Sequence, residues 1–84
     1  MAELAQIYYD SIGDVLYISL GEPQEAISQE VGEDVLLRIH PTTGKVLGLT
    51  VLNLSSRFSD LTRPQTLPVR VELEPVTEGV IDKG

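Results

Sequence analysis

The stretch Val35-Leu-Leu-Arg-Ile-His-Pro-Thr-Thr-Gly-Lys-Val-Leu-Gly-Leu-Thr-Val-Leu52 constrains the fold more than any other part of the chain. Two apolar runs flank one short polar turn. Pro41 holds φ at about −65° for the turn's second position, and Gly44 can take the left-handed angle that releases the next strand. The stretch reads as two strands folded back on each other, so the class is a small protein dominated by antiparallel sheet. Val35, Leu37 and Ile39 share one face, opposite Leu36, Arg38 and His40. Leu47, Leu49 and Val51 share a face opposite Val46, Gly48, Thr50 and Leu52. Gly48 in mid-strand predicts a bulge or the close approach of another backbone.

The rest of the chain extends that pattern. Leu4–Asp10 starts a strand rich in residues that suit a pleated surface, and Asp10–Asp14 is a turn. Val15–Leu20 is a second strand, apolar enough to be covered on both faces and forming a hairpin with the first. Gly21-Glu-Pro-Gln24 breaks the pattern, Glu25–Val31 is a polar candidate edge strand, and Gly32-Glu-Asp34 is a turn. Then the period changes. Leu54, Phe58 and Leu61 fall at i, i+4, i+7, which predicts a short helix capped by Asn53 or Ser55 and ended by Pro64. Beyond it Val69, Val71 and Leu73 alternate with Arg70, Glu72 and Glu74. Pro68 and Pro75 confine that strand to an edge, of its own sheet or of a neighbour's. The expected fold is α+β: mostly antiparallel β-sheet of five or six strands with one short helix near residues 55–61. One domain is expected over 1–75 and a flexible tail over 76–84, with no internal repeat beyond the strand–turn rhythm.

Eighty-four residues make one domain with a thin core, burying roughly 60–65% of the surface of the unfolded chain. There is no cysteine, which removes disulfides, thiolate zinc sites and thiol redox chemistry. One histidine excludes a histidine-rich metal site within a single chain. Association is the reinforcement left, so a homodimer or higher assembly is expected. No segment approaches the ~20 apolar residues of a membrane span, and the start lacks the pattern of a signal peptide. The chain is read as mature and cytoplasmic.

Net charge is −7, unevenly spread. Residues 1–37 contain no Lys or Arg, whereas residues 38–70 carry Arg38, Lys45, Arg57, Arg63 and Arg70 against Asp60 alone. Either an acidic face meets a basic partner, or acidic and basic strands lie side by side in one sheet. Nucleic acid is disfavoured, since phosphate binding needs a concentrated basic surface.

Four groups of residues carry possible chemistry. Asp10 and Asp14 flank one turn and could hold a hard cation or divide acid and base roles, but the turn lacks the ligand spacing of a calcium loop and turn bonding is the preferred reading: Asp10 caps backbone and Asp14 opens the hairpin. His40 could act as a general base near neutral pH, or end its strand before Pro41. Tyr8, Tyr9 and Tyr17 lie on adjacent strands, as an aromatic binding face or as cross-strand packing. Asn53, Ser55, Ser56 and Arg57 gather at the predicted helix start; Asn53, Ser55 and Arg57 are the candidate ligand contacts. Tyr17, Leu54, Phe58, Leu61, Val69, Val71 and Leu73 are the candidate interface. No phosphate loop, dinucleotide fingerprint or metalloprotease helix is present, so neither cofactor nor metal is expected.

The pieces Tyr9-Asp-Ser-Ile-Gly-Asp-Val-Leu-Tyr-Ile-Ser-Leu20 and Gly44-Lys-Val-Leu-Gly-Leu-Thr-Val-Leu-Asn-Leu-Ser55 resemble a family of small bacterial proteins of unknown function. The likeness covers roughly residues 7–61: a tyrosine-aspartate turn, a Leu-Tyr-Ile-x-Leu strand, a glycine turn, and a strand ending at a serine that begins a helix. The family commonly opens that second turn with an aspartate, where this chain has His40. The segment after Pro64 extends beyond the usual domain. What the resemblance implies is an antiparallel sheet with a short helix, and no activity.

The reading that follows is a homo-oligomeric interaction or binding module without catalytic activity. Two others stand beside it. One is a small ligand-binding protein or enzyme using Asp10, Asp14, His40 or Asn53. The other is an acidic regulatory partner of another protein.

Overall fold

A computed structural model describes residues 4–60 and 62–76. Leu61, and residues 77–84 of the expected tail, lie outside the described residues.

Five strands form one antiparallel sheet: β1 (Ala5–Asp10), β2 (Val15–Leu20), β3 (Ile27–Gly32), β4 (Val35–Ile39) and β5 (Val46–Val51), followed by α1 (Leu54–Arg57). Their spatial order is β1-β2-β5-β4-β3, so the last strand is central. β1 and β2 make a hairpin; β3, β4 and β5 make a meander that docks β5 against β2. Residues 21–26 carry the chain from β2 to the far edge. That crosses three strand spacings, about 14 Å, within the roughly 20 Å reach of six residues.

Pairing fixes the faces. Leu16 and Ile18 stand opposite Val51 and Leu49, which stand opposite Val35 and Leu37. Tyr9, Ile7 and Ala5 extend that row across β1. The other face carries Gln6, Tyr8, Tyr17, Thr50, Leu36 and Arg38 and is far more polar. The core sits where central strands meet on the apolar face: Val35 and Val51 are 0% and 1% exposed. Leu47, expected to share that face with Leu49 and Val51, is buried too but stands in a bulge: Ile39 pairs with Val46, so Val46 and not Leu47 joins Leu49 on the apolar face. β2, expected to be covered on both faces, is half-buried along its whole length.

Gly48 answers to the expected close approach. A Cβ there would lie 2.6 Å from the Ile18 carbonyl oxygen. The β4–β5 register also shifts beside it, between Arg38 and Ile39.

Two elements differ from expectation. The helix is a single turn, and Phe58 at its end has left helical geometry (φ −106°). No residue of the turn is buried, so nothing repays further ordering, and Leu54 and Phe58 do not form a continuing stripe. The segment expected as an edge strand over 66–74 joins no ladder. Pro68 has no N–H, and the Val69 N–H turns back to the Leu67 carbonyl at 2.8 Å, so its first donors are lost to pairing. The segment instead lies over the apolar face. Pro68 rests on Gly32, where a Cβ would come within 2.7 Å of its ring.

Candidate functional site

The β1–β2 turn, the β3–β4 turn and the exit of β5 fall at one end of the sheet. Each carries an L-residue with positive φ: Asp14 (61°), Asp34 (63°) and Asn53 (52°). Aspartate and asparagine tolerate this region better than other side-chain-bearing residues, because their short polar groups bond locally. The two aspartates begin matching segments, Asp14-Val15-Leu16 and Asp34-Val35-Leu36. This three-residue repeat, hidden within the strand–turn rhythm, sets one aspartate on each side of β5: Leu16 and Val35 both pair with Val51. The Asp34 carbonyl accepts from Leu52 N–H at 2.8 Å, and the Asp14 carbonyl from Leu54 N–H at 3.1 Å.

Asp14 does most of the tying. One oxygen accepts from the Tyr9 hydroxyl at 2.7 Å, the other from the Ser55 hydroxyl at 2.7 Å, and the Ser55 N–H donates at 3.1 and 3.2 Å. The Ser55 hydroxyl bond, then that of Tyr9, holds the carboxyl below its ordinary range. The same contact pushes the Tyr9 phenol up, with Asp14 as its main cause. Asp34 accepts from the Asn53 side-chain amide at 3.2 Å. Asn53 stands at the N-cap position without capping by its side chain, because its left-handed backbone and its bond to Asp34 direct it elsewhere.

Arg57 crosses this end. Its guanidinium donates to the Glu33 carbonyl at 2.8 Å and to the Thr66 carbonyl at 3.5 Å, linking the β3–β4 turn to the segment beyond α1. Beside it lies a shallow polar cleft of about 300 Å³ lined by Glu33, Asp34, Asn53, Ser56, Arg57 and Gln65. Of the candidate ligand contacts, Asn53 and Arg57 line the cleft, while Ser55 is committed to Asp14. Sequence reasoning missed Glu33, Asp34 and Gln65; the repeated Asp-Val-Leu was the signal for Asp34.

The remaining candidates separate. Asp10 folds over its own turn and accepts from the Ile12 and Gly13 N–H groups at 3.0 and 3.1 Å. His40 sits at the other end of the sheet, where β4 turns into β5. Its Nδ1 accepts from Thr42 and Thr43 N–H at 3.1 and 3.2 Å, as an aspartate opening a turn would. A full strand length, about 17–20 Å, separates it from Asp14. Tyr8 and Tyr17 stack across β1 and β2 with ring centroids 6.0 Å apart, while Tyr9 points to the opposite face and Asp14. The interface candidates divide likewise: Tyr17 is on the polar face, whereas Val69, Val71 and Leu73 roof a cavity on the apolar one.

That cavity is about 590 Å³, floored by Ile18, Leu20, Leu37, Val46 and Leu49. The segment above it stands off the sheet: Val71 is 69% and Leu73 88% exposed. Ile7, Tyr9 and Ile27 on the flanks are exposed as well.

Chemically, the end of the sheet is a fastening. Ser55 and Asp14 are in contact without an imidazole between them, and a carboxyl held below its ordinary range is a poor proton acceptor. Among the described residues no group of three or more His, Cys, Asp or Glu could hold a metal ion, and no helix is long and apolar enough to cross a membrane.

Fold and site together define a class: a small five-stranded antiparallel-sheet protein whose central strand is locked between two aspartate turns. The chain belongs to the family described as protein of unknown function (DUF2283), whose pattern matches residues 6–55. The match runs from β1 to Ser55, the residue that closes on Asp14, and ends before the segment crossing the apolar face. No curated protein and no solved structure matches the chain.

Proposed function

We propose that this protein is a non-catalytic interaction module that assembles with copies of itself. One observation carries the reading. The sheet's apolar face is crossed by a single extended segment that leaves a half-open cavity and exposes Ile7, Tyr9, Ile27, Val46, Val71 and Leu73. Exposed apolar surface of this continuity marks an interaction site. A second copy supplies an equally apolar surface and adds to a core in which, among the described residues, Val35, Leu47 and Val51 are the buried hydrophobic ones. The dispersal of Asp10, Asp14 and His40 into separate hydrogen-bond sets supports the non-catalytic part.

Native mass spectrometry of the full chain tests this. The expected spectrum is a multiple of the 9.2 kDa chain with no added mass. A monomer at micromolar concentration overturns it, and a constant small mass excess would assign the cavity to a ligand instead.

A further inference from the structure

The two edges of the sheet are unequal, and the inequality names the surface that assembles. β1 is one edge and β3 the other. β3 is preceded by Pro23 and Glu25, carries Glu30, and has a register shift between Glu30 and Gly32. Charge, proline and bulges are the devices that blunt an edge. β1 reads Ala-Gln-Ile-Tyr-Tyr-Asp, with no proline, no lysine, no charge within the strand before Asp10, and an unbroken register against β2; Glu3 precedes it in the sequence as Glu25 precedes β3.

The backbone phase of β1 follows from one bond. Gly21 N–H donates to the Leu4 carbonyl at 2.9 Å. Leu4 and Gly21 continue the β1–β2 register, in which Ala5 faces Leu20, so they form a hydrogen-bonded pair. Such pairs alternate along an antiparallel ladder. Gln6, Tyr8 and Asp10 therefore turn their amides toward β2, while Ala5, Ile7 and Tyr9 turn theirs outward.

We propose that β1 pairs antiparallel with β1 of a second copy about a two-fold axis at Ile7, joining two five-stranded sheets into one. The proposal rests on the self-assembly reading and names the surface it uses. In this register Ile7 faces Ile7, and Ala5 faces Tyr9 in both directions. These are the residues whose N–H and C=O groups point away from β2. Gln6 stands opposite Tyr8, and small Ala5 beside large Tyr9 fits the cross-strand space. Asp10 faces Leu4, so the two Asp10 carboxylates sit at opposite ends of the junction. A two-fold axis normal to the sheet keeps the faces aligned, so Ile7 and Tyr9 of both copies make one apolar surface. Ile7, 71% exposed in one chain, becomes the centre of the joined sheet.

Amide hydrogen exchange on the full chain, read by NMR, tests the pairing. In the assembled protein the Ala5, Ile7 and Tyr9 amides should be protected like those of Gln6 and Tyr8. Dilution to the monomer should release the odd-numbered set alone. Ile7→Pro removes one outward N–H without touching the β1–β2 ladder and should abolish assembly with the sheet's circular dichroism retained. Ile7→Lys, which sets two like charges face to face, should weaken assembly at least tenfold and serves if the proline variant fails to fold. An assembly whose Ile7 and Tyr9 amides exchange freely, or which survives Ile7→Lys unchanged, overturns the β1 junction and leaves the self-assembly reading standing. A monomer overturns both.

Discussion

The turn end of the sheet and the apolar face solve opposite problems. At the turn end, Asp14, Asp34, Asn53, Ser55 and Arg57 satisfy one another and the backbone around them through short, directed bonds. On the apolar face, residues 67–73 span the sheet without laddering and stand off it, over a cavity of about 590 Å³. Polar bonding is short-ranged and closes within one chain once the turns bring donors and acceptors together. Apolar burial scales with area, and here the covering segment leaves Val71 69% and Leu73 88% exposed. The first region satisfies its own groups; the second leaves apolar surface exposed.

Substitutions sharpen the contrast, and the largest effect belongs to Gly48. A methyl group there meets the Ile18 carbonyl at 2.6 Å, and backbone must move. Gly48→Ala should cost at the upper end of roughly 1–3 kcal/mol, read as a lowered urea midpoint. An unchanged midpoint would mean that β2 and β5 are less closely apposed than described.

Asp34→Ala comes next. It keeps the turn but forces a residue without a short polar side chain to φ 63°, at a cost of about 1–2 kcal/mol. Asp34→Asn should be nearly neutral, since asparagine tolerates the angle and can still accept from Asn53. Equal losses in the two variants would show that charge, not backbone angle, selects the residue.

Gly32→Ala is smaller, although its steric conflict resembles that at Gly48. The obstructing atom is Pro68 Cγ at 2.7 Å, on a segment that no ladder holds. The segment should lift, shifting stability by less than about 0.5 kcal/mol while binding of a hydrophobic dye rises. A loss matching that of Gly48→Ala would make the segment part of the sheet's own stability.

The mildest effect is a pH dependence at the Tyr9–Asp14–Ser55 fastening. Folding lowers the Asp14 pKa, so its contribution is complete above the ordinary carboxylate value and is lost as pH falls through the lowered folded value. Folding raises the Tyr9 pKa, so its contribution is complete below the ordinary phenol value and is lost as pH rises through the raised one. Ser55→Ala should shrink the acid loss more than Tyr9→Phe, because the Ser55 bond is the larger cause; only Tyr9→Phe should flatten the alkaline loss. Urea midpoints across pH read both, and identical profiles would remove Asp14 from the fastening.

Much of the fold was legible in the chain. Alternation at Ile7–Tyr9, Leu16–Leu20, Val35–Ile39 and Leu49–Val51 has the period of two that a pleated strand needs, and Gly44 and Asp10 mark turns by their local chemistry. At Leu47 the alternation misled, because the bulge opposite Arg38 puts Val46 on the face of Leu49. Gly48 signalled a close approach, because a strand position without a side chain forfeits packing unless neighbouring backbone takes up the space. The site was less legible. Ser55 and Asp14 are 41 residues apart, Asn53 and Asp34 are 19 apart, and no periodicity links them. The alternation of Val69, Val71 and Leu73 misled, since the pattern reports which side chains share a face and not whether a ladder is within reach.

Residue order therefore fixes what is local: where strands begin and turn, which side chains alternate until a bulge intervenes, and the absence of thiol chemistry. Only the folded chain decided that β5 is central, that two aspartate turns close on its exit, that residues 67–73 cross a face instead of extending it, and that, among the described residues, no strand pairs with the outer edge of β1. Local preferences act between neighbours in the chain, whereas strand order and edge exposure depend on contacts between residues far apart, which exist only once the sheet has formed.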